Sequence, residues 1–160
     1  MRWSYQADGS QERISILYGQ EEDIFVFGHP SRISQVLSNI LDNAHSLSPK
    51  ENNIKLTLTT EKTGKNPKRS DENKAVILID DEGAGIQADN IDRIFERFYT
   101  DRSEQSGFGK NSGLGLSISK QIIESHNGSL SAENRVDENN HICGARFKIT
   151  LPLIESKGKR

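Results

Sequence analysis

The chain has 160 residues, of which 32% are hydrophobic and 28% charged. A single domain is the expectation at this length, and about 68–70% of the unfolded surface can be buried, so no disulfide or metal staple is needed. The 21 Lys and Arg against 23 Asp and Glu leave a formal net charge of -2, which excludes the basic footprint of a nucleic-acid or anionic-lipid binder.

Cys143 stands alone, so no intrachain disulfide can form, in keeping with a reducing compartment. As a small buried apolar residue it is expected to be inert. Met1-Arg2-Trp3-Ser4-Tyr5-Gln6 lacks the apolar core of a signal peptide. No apolar run approaches the ~18 residues of a membrane span, so the chain reads as soluble.

Two short strands are predicted first, over 13–17 and 23–27, around a polar turn at Gly19-Gln20-Glu21-Glu22. Pro30 then sits in a first helical turn, where its missing N–H costs nothing. Ile33, Val36, Leu37, Ile40, Leu41 and Ala44 recur at i, i+3, i+4, i+7, i+8 and i+11, an amphipathic helix ending around 46–49. Residues 53–61 alternate Ile54, Leu56 and Leu58 with Lys55, Thr57 and Thr59, the pattern of a half-buried strand. Residues 62–74, with Gly64 and Pro67, read as a mobile hairpin loop. Residues 75–79 are an apolar run, a central strand ending in Asp80-Asp81. A short helix is predicted over 89–98, then a polar glycine-containing stretch over 100–112. A third helix over 115–126 is expected to bury Leu114, Ile118, Ile122 and Ile123. Strands over 129–132 and 145–151 close a domain spanning 1–153, and 154–160 is a charged tail. Strands and helices mix without β-α-β alternation. The expected fold is a two-layer α/β sandwich, a mixed and mostly antiparallel sheet covered on one face by about three helices.

Three patterns carry chemistry. Asn39 and Asn43 lie about one helical turn apart on one face, with Gln35 extending the row. Asparagine is a mediocre helix former, and amide oxygens suit Mg²⁺, a hard ion that keeps several waters. Neutral amides fit a site where a triphosphate supplies the negative charge; a solvated polar face is the alternative.

The second pattern is Asp81-Glu82-Gly83-Ala84-Gly85-Ile86, after the apolar strand. Gly83-x-Gly85-x-x-Ala88 formally satisfies a dinucleotide fingerprint. However, Asp80, Asp81 and Glu82 would crowd a pyrophosphate, and no second strand ends in an acidic residue ~20 positions on. Read otherwise, Asp81 is an acceptor-only group that selects a base offering an N–H donor, as adenine does, and the glycines make room for a flat ring; an ordinary acidic turn with glycines is the alternative. The third pattern, Gly107-Phe108-Gly109-Lys110-Asn111-Ser112-Gly113-Leu114-Gly115-Leu116, runs from loop into helix. A helix N-terminus suits phosphate, glycines admit close backbone approach, and 100–112 can serve as a lid with Lys110 touching phosphate, although taken alone the segment reads as a flexible loop with a glycine N-cap. It is not a Walker loop.

In order, these pieces resemble the catalytic ATP-binding domain of bacterial sensor histidine kinases, in the superfamily that also holds Hsp90, DNA gyrase and MutL. The segment from Gln35 to Ala44 resembles the N box, and Asp81-x-Gly83-x-Gly85-Ile86 the G1 box. Arg93-Ile94-Phe95-Glu96-Arg97-Phe98-Tyr99 resembles the F box, and Ser112-Gly113-Leu114-Gly115-Leu116 the G2 box. His126-Asn127-Gly128 and the stretch from Gly144 to Pro152 resemble the closing segments, so the likeness covers about 13–153. The wording around Asn43-Ala44-His45-Ser46 and Phe108-Gly109-Lys110-Asn111 is most similar to alphaproteobacterial envelope-regulating sensor kinases of the ChvG/BvrS type.

The resemblance implies a Bergerat-type fold with a mobile ATP lid and a Mg²⁺-ATP cofactor, and the following roles. Asn39 and Asn43 hold the metal and serve catalysis, Arg97 stabilises the γ-phosphate or docks a partner helix, and Asp81 binds adenine. Gly83, Gly85, Ile86, Lys110, Ser112, Gly113, Leu114, Gly115 and Leu116 line the nucleotide. Phe95, Phe98 and Tyr99 are packing or interface residues. It further implies a monomeric cytoplasmic domain of a protein anchored in the bacterial inner membrane. That domain would pass phosphate to a histidine on a separate dimerisation domain and so to a response regulator.

Four positions depart from the pattern: Ser46 where a phosphate-contacting lysine is common, Leu47 for an aromatic, Ala84 for a proline and Asn111 for a glycine. Charge compensation must then come from Lys110 or Arg97. None of His29, His45, His126 and His141 opens an H-[ED]-x-x-x-P pattern, so the acceptor lies elsewhere. A nucleotide-binding module that gates a partner without transfer is the competing reading.

Overall fold

A computed structural model describes residues 14–18, 24–49, 53–62, 73–99 and 113–154. In chain order these form β1 (Ile14–Tyr18), α1 (Pro30–Leu47), β2 (Ile54–Lys62) and β3 (Asn73–Asp80). Single 3₁₀ turns at Ala88–Asn90 and Arg93–Phe95, α2 (Gly115–Ser125), β4 (Ser129–Val136) and β5 (Ile142–Pro152) follow.

The strands make one sheet in the order β1-β2-β3-β5-β4. β1 runs parallel to β2, and every other pair is antiparallel. β2 and β3 form the expected hairpin, closed by the Lys62–Asn73 pair; its connection over 63–72 lies outside the described residues.

The period of two decides which face is buried. Leu56 stands beside Ile79, Ile79 beside Phe147 and Phe147 beside Ala132, so one apolar face runs across four strands. Against it lies the stripe of α1, where Val36, Ile40, Leu41 and Ala44 are fully enclosed. Each large member contributes roughly 1.5–3 kcal/mol by leaving water, which holds α1 flat on the sheet. Among the described residues the helices cover one face of the sheet. The other carries Glu61, Asp80, Arg146 and Lys148, joined in ion pairs across strands.

Four local expectations change. The strand over 23–27 shrinks, among the described residues, to one bridge, Val26 to Leu153, and Phe27 is 85% exposed. The short helix over 89–98 consists of the two 3₁₀ turns, because the backbone turns at Phe98 (φ 63) to donate its N–H to Gly113 O at 3.0 Å. On α2, Ile122 and Ile123 are buried as expected, but Ile118 is exposed and Leu114 half-buried. The buried residues of α2 are instead Ser117, Ser119, Ile122 and Ile123, and α1 approaches the start of α2 closely, with the Asn39 amide reaching Gly115 O and Ser119 Oγ. Cys143 is half-buried. No helix among the described residues is long and apolar enough to cross a membrane.

Candidate functional site

Asn39, Asn43 and Leu47 are spaced i, i+4, i+8 along α1, a row about 12 Å long at 1.5 Å per residue. One end of the row meets the second glycine motif. The Asn39 amide nitrogen donates to Gly115 O (3.3 Å) and Ser119 Oγ (3.2 Å), which fixes the amide plane and sends its carbonyl oxygen the other way. A Cβ on Gly115 would already stand 3.8 Å from Asn39 Cγ. The other end meets the first glycine motif, where a Cβ on Gly83 would come within 2.9 Å of Leu47 O. Asn43 lies between them, half-buried. Among the described residues its backbone oxygen accepts from Ser46 Oγ at 2.9 Å, and no hydrogen bond engages its side chain. Gln35, a turn before Asn39, is exposed.

Asp81 continues the inward face of β3 and is 2% exposed. Burying a carboxylate is costly unless it is hydrogen-bonded. Here Oδ1 accepts from Gly83 N–H (2.9 Å) and Ala145 N–H (3.0 Å). With both backbone donors on one oxygen, Oδ2 remains, among the described residues, without a protein donor. Such a carboxylate is held rigidly and keeps one acceptor for a ligand.

The turn that follows is equally constrained. Gly85 has φ +79, and a Cβ there would collide with Ile142 and sit 2.8 Å from Asn134 Oδ1. Ile86 is half-buried and packs against the core. A 3₁₀ turn rather than an α-helix follows, and both neighbours of β3 are antiparallel. The dinucleotide reading fails on that topology.

At the second glycine motif, Gly113 has φ +65, and any Cβ would stand 2.8 Å from Phe98 C and Tyr99 O. The residues bracketing 100–112 therefore meet. Leu114 is the N-cap of α2, Gly115 its first residue, and Leu116 packs half-buried against the core. Lys110, Asn111 and Ser112, with the expected lid over 100–112, lie outside the described residues. Arg97 is exposed just past the second 3₁₀ turn. Nearby, Lys120 lies 5.1 Å over the Phe95 ring and Arg93 5.2 Å over Tyr99, while Phe98 is 73% exposed. Two of the histidines meet: His126 bonds Ile122 O through Nδ1 (2.7 Å) and accepts His29 N–H at Nε2 (3.1 Å).

The sequence profile of the family described as histidine kinase-, DNA gyrase B- and HSP90-like ATPases matches residues 28–155. The chain belongs to this family. It is 47% identical over 139 residues to the sensor protein ChvG of Agrobacterium fabrum, covering 86% of this chain and 22% of that protein. It is also 47% identical over 128 residues to ChvG of Rhizobium meliloti, covering 79% and 20%. The chain thus spans about a fifth of the length of these relatives. The solved mycobacterial sensor histidine kinase MprB superposes with a TM-score of 0.71 at 28% identity, over 88% of this chain and 83% of that one.

This ATPase domain has further site neighbours that sequence reasoning missed. Asp80, one residue before Asp81, faces the opposite side of the sheet and is gripped by Arg146 through Nε–Oδ1 (2.7 Å) and Nη2–Oδ2 (2.8 Å). Hydrogen bonding to Asp80 raises the Arg146 pKa above its ordinary value, with partial burial opposing and the charges of Asp80 and Glu133 assisting. A raised arginine pKa adds stability that is complete below the unfolded value and lost only as pH climbs through the folded one, so this pair is constant across the neutral range. Arg135 donates to Asp81 O at 2.7 Å, and Asn134 pairs with both backbone groups of Ile86. Asn134 had one legible signal: it extends the inward period of Leu130 and Ala132 as a polar residue on a buried face.

Proposed function

We propose that this domain binds Mg²⁺-ATP and delivers the γ-phosphoryl group to a histidine on a separate dimerisation domain, for onward transfer to a response regulator. The supporting observation is the row of Asn39, Asn43 and Leu47, which touches the second glycine motif at one end and the first at the other. A nucleotide laid along that row sets adenine at Asp81 and phosphates beside Gly115.

Asp81 takes the exocyclic amine of adenine on its remaining oxygen, and Gly83, Gly85 and Ile86 form the wall of the base pocket. Gly113, Leu114, Gly115 and Leu116 present the N-terminus of α2 to the phosphates, joined by Ser112 and Lys110. The donor set fits Mg²⁺: Asn39 and Asn43 offer hard amide oxygens. Among the described residues no three His, Cys, Asp or Glu gather into a competing metal site. The ion, when bound, neutralises charge on the phosphates, and positioning with charge stabilisation accounts for most of phosphoryl transfer. Arg97, exposed beside the lid's start, serves the γ-phosphate or the partner helix, because an arginine fork suits both tasks. With Ser46 in place of a lysine, Lys110 or Arg97 supplies the missing positive charge. The unit is one domain over 1–153 with a tail over 154–160. It acts on the cytoplasmic side of a protein anchored in the inner membrane.

Incubating the domain with its separately expressed histidine domain and radiolabelled ATP is expected to label the histidine. Binding of Mg²⁺-ATP without any label on histidine would identify a gating module instead. Asn43→Ala is expected to weaken ATP binding about tenfold with Mg²⁺ present, the loss of roughly 1.4 kcal/mol, and far less in EDTA. Equal losses with and without metal, by titration calorimetry, would remove Asn43 from the metal.

A further inference from the structure

The turn over 81–86 hangs from two adjacent residues of β4. Arg135 donates to Asp81 O (2.7 Å) at its entry. At its exit Asn134 grips Ile86 from both sides, with Oδ1 accepting Ile86 N–H (2.7 Å) and Nδ2 donating to Ile86 O (2.6 Å). A side-chain amide that makes both bonds to one residue replaces the ladder partner that an irregular segment lacks. Gly85 is what admits it, since a Cβ there would lie 2.8 Å from Asn134 Oδ1.

The clamp reaches the carboxylate through the turn itself. Asp81 Oδ1 is held partly by the Gly83 N–H, and Gly83 belongs to the stretch whose far end Asn134 fixes. If Ile86 is released, Gly83 can drift. The carboxylate then keeps Ala145 as its single firm backbone donor and can rotate about χ2, a broad torsion. Oδ2 would no longer be aimed.

We infer that Asn134 is a positioning residue for base selection, holding the glycine turn so that the Asp81 carboxylate stays pointed at the purine. The inference rests on the proposal that Asp81 recognises adenine. A residue that merely stabilises the fold would affect all nucleotides alike, whereas an aiming residue acts on the contact with the exocyclic amine.

The test is calorimetry of ATP and of ITP, which carries a 6-oxo group in place of the amine, against wild type, Asn134→Ala, Asn134→Asp and Asp81→Asn in the same chain. Removing both clamp bonds is expected to weaken ATP binding about tenfold, as two net hydrogen bonds allow, while ITP binding stays close to wild type. Asn134→Asp keeps the acceptor for Ile86 N–H but turns an acceptor toward Ile86 O, so the same narrowing of selectivity is expected, and it serves if the alanine variant fails to fold. Parallel weakening of both nucleotides, or no change in either, would overturn the positioning role. Asp81→Asn separates the two layers. If it leaves the ATP to ITP ratio unchanged, base recognition at Asp81 fails and the inference fails with it. If it collapses the ratio while both Asn134 variants keep it, only the inference falls.

Discussion

Asp81→Asn is expected to weaken ATP binding by about 10- to 100-fold and to raise affinity for ITP relative to ATP. The amide oxygen can keep both backbone donors that Oδ1 now holds, Gly83 N–H and Ala145 N–H, so the turn remains built. The change falls on the other position. Where Oδ2 accepts, the variant presents an N–H₂ group, which opposes the adenine amine and suits a 6-oxo purine. A hydrogen bond to a charged partner contributes about 1.5–3 kcal/mol, which gives the stated range. Thermal unfolding should stay close to wild type, which separates recognition from folding. Unaltered ATP affinity would mean that the buried carboxylate serves structure alone.

Gly144→Ala is expected to be the most damaging single-methyl change near the site. Gly144 has φ +144, and a Cβ there would overlap Asp81 O, the same oxygen that accepts from Arg135. The strand cannot simply yield, because Gly144 is paired with Arg135 beside the register shift of the β4–β5 ladder. Forcing extra volume into a packed site costs about 1–3 kcal/mol, and a side chain held at such a φ costs a similar amount. The sum, about 2–6 kcal/mol, should lower the melting temperature on the order of 10 °C. Since the clash is with Asp81 itself, residual folded protein should also bind ATP more weakly. A variant with wild-type melting and wild-type affinity would show that the close approach is not needed.

Legibility in the sequence followed the range of the interactions. The α1 stripe was readable because six buried residues repeat at helical spacing within one segment, and packing kept all of them inside. The order of motifs was readable because each is local. What failed depended on distant partners. Ile91, Ile94, Phe95 and Phe98 have helical spacing, yet the chain breaks into 3₁₀ turns to reach Gly113, a tertiary demand that outweighs propensity. Ile24-Phe25-Val26-Phe27 looks like a strand, but among the described residues it makes one isolated bridge, Val26 to Leu153, beside the bond from Ile154 N–H to Phe25 O. Along α2 the apolar spacing points to Ile118 as a core residue, whereas the contact with Asn39 turns Gly115 and Ser119 toward α1.

At the site, Asp81 and the glycines could be read, but their supports could not. Asn134 and Arg146 reach their partners across 48 and 66 residues, and no short-range pattern encodes such a pairing. Asp80 and Asp81 are adjacent and look alike in sequence. Only the pleat separates them, sending one into an arginine fork on the open face and the other to the end of the apolar face.

The most direct measurement is a crystal structure of the chain with Mg²⁺ and a non-hydrolysable ATP analogue. The adenine amine should lie within hydrogen-bonding distance of Asp81 Oδ2, about 2.7–3.2 Å, with the metal on the amide oxygens of Asn39 and Asn43. Purine and phosphates found in unrelated pockets, or an adenine that leaves Asp81 untouched, would contradict the account.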